Sequence, residues 1–462
     1  MPLHAPATSM ARRLAAGTGV NLLDKALVAG AQLVSVPLLA HAWGLKTYGL
    51  WLLLATIPTF LAISDLGLAT AAGTKMMIAE ARGDRDEAVA LFQSAWLGVI
   101  GSTTACACLA VAACLLAPDR LFAGDAGVAI ADIRITLMLL SLYGLATVAG
   151  SLVFSGFKTA GRYAFGAFGN AMLIVVETGL SLALVLCGGS IVAAALGLLV
   201  GRLIGAGCQA LWLARLAPWL PIGVRNARAG ALRELIAPAS AVMLIPIAQA
   251  CLLQGTALAL GAAAGQAAVP AFTTVRTLSR VGQQFGWALN AALLPEASKA
   301  LGRRAEDTLA LMAFGTLATS ALLILPFAAA FVLFGPAFIA SWTRGIVSAN
   351  GLTIGAMTAS LVAGGFWNPL ANLLVSVDRQ ATFAGPYLIL ALLTVPASYG
   401  LSLRFGAAGP ALALAASDAL MLALIGALTV RHLATLPALA EAGRRARCAL
   451  AQVSQRPLRR RA

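Results

Sequence analysis

Twelve apolar stretches, each long enough to cross a lipid bilayer, fill this chain of 462 residues. They fall at about 17–40, 48–72, 90–116, 133–157, 164–187, 190–213, 235–260, 268–293, 308–334, 350–375, 383–403 and 408–430, separated by charge and by Pro/Gly punctuation. A transmembrane helix needs about 20 such residues, so the spans use up the chain and leave no room for a sizeable extramembrane domain. Composition agrees: 60% of residues are hydrophobic, 11% are charged, and the mean hydropathy is +0.89. A soluble domain carries about a quarter charged residues, so this chain could not cover a water-facing surface, and it is far too apolar for intrinsic disorder. The fold expected is an all-α polytopic membrane protein of about 12 transmembrane helices.

The net charge of +15 suggests nucleic acid until its distribution is read. Segments 1–16, 73–89, 158–163, 214–234, 294–307, 376–382 and 431–462 hold 23 Lys and Arg, whereas the loops between them in membrane sense hold 5. That asymmetry is the positive-inside rule, not a groove-binding patch, and no nucleic-acid partner is expected. An even span count with this bias places both termini in the cytoplasm. The longest internal basic segment bisects the spans, which predicts an N-terminal lobe of helices 1–6 (1–213), a basic linker (214–234), a C-terminal lobe of helices 7–12 (235–430) and a basic tail (431–462). The tail's Arg444, Arg445, Arg447, Arg456, Arg459, Arg460 and Arg461 suit the anionic inner leaflet.

Eight ionisable residues lie inside spans: Asp24, Lys25, Asp65, Glu177, Arg202, Arg276, Arg280 and Asp418. A charge near the bilayer centre costs about 2.5–3.5 kcal/mol on insertion scales, so each should face a partner or a wet cavity. Arg276 and Arg280 are one helical turn apart, and Gln283 and Trp287 continue their stripe. Two guanidiniums on one face suit a phosphate or diphosphate, which Arg grips bidentately; pairing with carboxylates of neighbouring helices is the plainer reading. Asn21, Asp24 and Lys25 share a polar face of span one with Gln32, and Lys25 would bring a third cation about a dozen ångström deep, unless it snorkels to the interface. Glu177 and Arg202 sit at similar depths on adjacent spans, as a locking ion pair would. Asp418 has no sequence-local partner; it could carry a coupling ion or neutralise an arginine of span eight. Asp65 reads either as a functional carboxylate or as a helix-end residue in water.

Other features weigh less. Gly197, Gly201 and Gly205 recur every four residues, which permits a tight helix contact. Trp43, Tyr48 and Trp51 read as an interfacial aromatic belt. Pro residues interrupt many spans and permit kinks. The seven Cys form no C-x-x-C pair, and the three His lie away from the middle of any span. With no metal-ligand spacing, catalytic cluster or phosphate-cradling Gly loop, neither an enzyme nor a cofactor is expected.

The run Val36-Pro37-Leu38-Leu39-Ala40-His41-Ala42-Trp43-Gly44-Leu45-Lys46-Thr47-Tyr48-Gly49-Leu50-Trp51, followed by Asp65-Leu66-Gly67-Leu68, resembles the first two helices of bacterial polysaccharide transporters. These are the O-antigen and exopolysaccharide flippases of the multidrug/oligosaccharidyl-lipid/polysaccharide exporter superfamily. Gly156-Phe157-Lys158 with Gly161-Arg162-Tyr163, Thr274-Val275-Arg276-Thr277-Leu278-Ser279-Arg280, and Phe366-Trp367-Asn368-Pro369 before Asp378-Arg379 fit in the same order. The resemblance implies two six-helix lobes around a central cavity, alternately open to each side of the bacterial inner membrane. It also implies a lipid-linked oligosaccharide substrate on undecaprenyl diphosphate, with membrane lipids and polysaccharide polymerase machinery as further partners. In related lipid II flippases a charged pair of the first helix and an arginine of the eighth line a cationic cavity, and Asp24-Lys25 and Arg276/Arg280 fall at matching places. A secondary exporter of drugs or small metabolites is the alternative within the same superfamily.

Overall fold

The computed structural model describes residues 7–63, 65, 67–116, 118, 127–284, 306–376 and 381–434, with side chains described for most of them. Among these residues the chain is helical between short turns, and nine segments are long and apolar enough to cross a membrane. The helices are α1 (Ala7–Leu54), α2 (Ile57–Ile63), α3 (Leu68–Ala81), α4 (Arg85–Leu116), α5 (Ile130–Thr159), α6 (Tyr163–Leu186), α7 (Ile191–Leu216), α8 (Ala229–Ala250), α9 (Thr256–Ala264), α10 (268–284), α11 (Glu306–Trp342), α12 (Gly351–Ser376), α13 (Ala381–Phe405) and α14 (Ala408–Ala434).

The differences from a simple twelve-rod plan are local. The first two spans join as one helical run, broken at Gly44, whose backbone (φ 72, ψ 174) leaves the helical region as only glycine does readily. The second span is then interrupted again before α3, where Gly67 is left-handed (φ 73) and its N–H donates to Asp65 Oδ1 at 2.9 Å. Span seven is α8 continued into α9 through a π turn, Cys251–Gly255. Such a turn carries one extra residue and offsets the backbone carbonyls from the helix ladder.

Helix pairs in each half pack closely. Glycines of α7 seat α6: a Cβ at Gly201 would fall 2.5 Å from the Cα of Glu177, and one at Gly197 would fall 2.6 Å from the Cα of Ser181. The four-residue glycine spacing is therefore a backbone contact. Phe92, Phe157, Leu213, Leu220 and Leu235 centre one core cluster among α3, α4, α5, α7, α8 and the loop after α7; Phe272, Met357, Trp367, Tyr387 and Met421 centre another among α10, α12, α13 and α14. Helix α8 packs against α2, α3 and α4 and also against α13.

The segment read as a basic linker has three parts: the end of α7, a loop, and the start of α8. The loop is clipped to α4, with Gln93 Nε2 donating to the Pro221 carbonyl (3.0 Å) and Ser94 Oγ accepting from the Arg228 N–H (2.8 Å). Leu220 of this loop is fully buried.

The aromatic belt is corrected. Tyr48 and Trp51 are buried, Trp43 and Trp51 meet edge to face at 5.6 Å, and Trp43 Nε1 donates to the Gly189 carbonyl at 3.1 Å. These rings tie the start of the second span to the α6–α7 corner instead of facing lipid.

Candidate functional site

The row on α10 opens onto a cavity of about 210 Å³. Arg276 and Arg280 line it together, as their spacing requires, and Gln283 follows on the same face. Opposite stand Trp367 of α12, Tyr387 of α13 and Asp418 of α14. All of its walls come from elements after residue 228.

Each guanidinium is placed differently. Arg276 Nη1 donates to the carbonyl of Leu253 inside the π turn and lies 3.4 Å from Thr256 Oγ1; its guanidinium also covers the Phe272 ring at 4.9 Å. The π turn thus supplies an acceptor that an unbroken α-helix would keep in its own ladder. Among the described residues neither Arg276 nor Arg280 forms an ion pair with a carboxylate. Asp418 is held by others: Trp367 Nε1 donates to its Oδ1 at 2.9 Å, and Ser360 Oγ donates to its Oδ2. Asp418 therefore shares the arginines' cavity without quenching either by direct contact. The lining carries two cations and one anion, an excess of positive charge.

Gly364 leaves room for the Gln283 amide. A Cβ there would fall 2.8 Å from Gln283 Nε2 and would push that amide aside, while lying at an ordinary contact distance of 3.8 Å from Asp418 Oδ1. Ser360, Trp367, Tyr387 and Gly364 were not singled out from sequence as site residues; the Phe366-Trp367-Asn368-Pro369 run was the one signal that pointed towards them.

The other singled-out charges lie elsewhere. Glu177 and Arg202 form an ion pair at 2.7 Å (Oε2 to Nε), with side chains 6% and 13% exposed. A second contact, Arg202 Nη2 to Glu177 Oε1, is 2.8 Å, and Tyr143 OH lies 3.1 Å from both partners. Tyr143 of α5, Glu177 of α6 and Arg202 of α7 thus meet in one buried cluster, which is the arrangement of a lock between α6 and α7. Asp65 does not sit at a water-exposed helix end: it is 8% exposed, in the turn between α2 and α3, and lines a separate cavity. The side chains of Asn21, Asp24 and Lys25 lie outside those described, although their backbone belongs to α1, and Trp287 lies outside the described residues altogether.

Fold and site together define a class: a multi-pass α-helical membrane architecture with a polar, cationic cavity. The fold is shared with solved membrane transporters and a lipid flippase. An inward-facing multidrug resistance MATE family transporter of the multidrug/oligosaccharidyl-lipid/polysaccharide (MOP) superfamily is similar over 91% of this chain and 95% of its own, with TM-score 0.70 and 17% identity. The lipid II flippase MurJ in an inward closed conformation is similar over 86% of each chain, with TM-score 0.62 and 13% identity. A MOP superfamily transporter from Pyrococcus furiosus, described as having a binding pocket of reverse polarity that suggests a different function, is similar over 92% of this chain and 93% of its own, with TM-score 0.54 and 16% identity. No protein-family model and no curated protein matches the sequence.

Proposed function

We propose that the protein is a flippase that moves a lipid-linked oligosaccharide, carried on undecaprenyl diphosphate, from the inner to the outer leaflet of the bacterial inner membrane for surface polysaccharide synthesis. The observation that carries this reading is the pair of guanidiniums facing one cavity without a carboxylate on either. Buried cations persist only with compensation, and a diphosphate supplies it with bidentate oxygens. Moving a glycan through hydrocarbon would strand its hydroxyls without partners, so a wet cleft must shelter it while the prenyl tail stays in lipid. The fold supports such a cleft, opened to alternate sides by movement of the helical halves.

In this reading Arg276 and Arg280 grip the diphosphate, Gln283 adds an amide beside them, and Lys25 and Asn21 approach from the first span. Asp418, held by Ser360 and Trp367 in the same cavity, is left free of the arginines and available to a coupling ion. Asp24 is the remaining acid on the first span, available to a coupling ion, and Glu177–Arg202 holds α6 to α7. The termini are cytoplasmic, where the basic tail meets anionic lipid. The test is genetic: Arg276→Ala and Arg280→Ala abolish surface glycan at unchanged protein level, and full glycan in both defeats the assignment. The fold shared with a multidrug resistance transporter favours one other reading, export of a soluble drug or metabolite; a deletion strain would then be drug-sensitive with its glycan intact.

A further inference from the structure

A second cavity, of about 340 Å³, lies between α2–α3, α5 and α8, within the range of about 300–1,000 Å³ that small-ligand sites occupy. It holds Asp65 and Lys158, together with the hydroxyls of Thr70, Thr74, Thr147, Ser151 and Ser155. Four of those five hydroxyls have spent their protons: Thr147 donates to the Tyr143 carbonyl (2.8 Å), Ser151 to Val148 (2.7 Å), Ser155 to Ala69 (3.1 Å) and Thr74 to Thr70 (3.2 Å). What each still offers is oxygen lone pairs. Asp65 is likewise an acceptor when ionised, with one oxygen already taken by the Gly67 N–H.

The wall therefore asks its ligand for donors. A phosphate, which only accepts, is the wrong chemistry here, and Lys158 already balances the one carboxylate, which argues against a metal cation. A sugar presents one donor on every hydroxyl and can also accept from Lys158, whose ammonium sits 4.5 Å above the Phe154 ring. Position adds a condition. Met243 of α8 lines this cavity and Gln249 of the same helix lines the arginine cavity, six residues apart, or about 9 Å along the helix axis. The two positions are also about 120° apart around that helix, so a head group with phosphate at one end and sugar at the other would have to cross the face of α8 to occupy both.

We propose that this cavity binds the sugar portion of the substrate and selects it by its hydroxyls, a proposal that rests on the arginine cavity being the diphosphate site. The test measures affinity of the full-length protein in lipid nanodiscs for two probes: bare undecaprenyl diphosphate, and the lipid-linked oligosaccharide fraction extracted from a strain lacking the protein. Thr147→Val with Ser151→Ala removes two lining hydroxyls that bond only to their own helix. The expected result is at least tenfold weaker binding of the glycosylated probe, with bare undecaprenyl diphosphate within twofold of wild type. Equal effects on both probes, or none on either, overturn the sugar subsite. Arg276→Ala with Arg280→Ala should weaken both probes; if it does so while the hydroxyl variant changes nothing, the sugar subsite falls alone. If the wild-type protein binds neither probe above empty nanodiscs, the diphosphate reading falls and the subsite with it.

Discussion

Removing Glu177 should be among the most damaging single changes in the protein, and removing its partner as well should undo most of the harm. Glu177→Met leaves the Arg202 guanidinium, 13% exposed, without its carboxylate at a depth where lipid cannot solvate it. Breaking one side of a buried pair costs about 3–5 kcal/mol, or about 10²–10⁴ in the unfolding equilibrium at about 1.4 kcal/mol per decade. Replacing both with apolar residues of similar volume is often neutral. Here it would strand the Tyr143 hydroxyl, which lies 3.1 Å from each partner, at about 1–3 kcal/mol. Glu177→Met with Arg202→Met should recover most of the loss, and adding Tyr143→Phe should recover the remainder. The assay is reversible unfolding in mixed micelles with a rising fraction of SDS, paired with surface-glycan measurement. If the double variant loses as much as the two singles combined, the lock is not a lock. Restored stability with lost transport would move the pair into the transport cycle.

Gly201→Leu should reduce folded protein severely and Gly207→Leu much less, because a Cβ at Gly201 meets the α6 backbone whereas one at Gly207 meets nothing within 4 Å; yields of monodisperse protein compare them. Trp367→Phe removes the indole donor from Asp418 Oδ1 and should cost about 1.5–3 kcal/mol, the worth of a hydrogen bond to a charged group, read by the same unfolding assay. Arg276→Lys keeps the charge but loses the planar fork that reaches the Leu253 carbonyl, so transport should fall at least tenfold while expression holds. Gly364→Ala should lower transport more mildly, since its new methyl displaces the Gln283 amide, 2.8 Å away, and leaves Asp418 in place.

How much of this was legible in the sequence depended on whether the signal was local. The spans were, because hydropathy over about 20 residues is a local sum. So was the α10 row, since i, i+4 spacing aligns side chains whatever the helix packs against. Gly197, Gly201 and Gly205 announced a contact without naming the α6 residues it meets. The partners of Asp418 lie on α12, 58 and 51 residues away in sequence at Ser360 and Trp367, and no spacing rule reaches them. The π turn is written Cys-Leu-Leu-Gln-Gly, an ordinary apolar helix sequence until its terminal glycine. Trp43, Tyr48 and Trp51 were misread because core and lipid are both apolar, so hydropathy cannot say which of them a ring faces. The helix-end alternative for Asp65 arose for a related reason: an interruption inside a span looks like the end of one.

The central claim is that Arg276 and Arg280 wait for an anionic head group. It is tested most directly by comparing the affinity of purified protein for geranylgeranyl diphosphate with that for geranylgeraniol, which shares the chain and lacks the phosphates. Hydrogen bonds to charged groups contribute about 1.5–3 kcal/mol each, so engagement of both arginines predicts a preference for the diphosphate of at least about 10², collapsing towards unity in the Arg276→Ala, Arg280→Ala variant. Equal binding of the two lipids by the wild-type protein, or a preference that survives loss of both arginines, would contradict it.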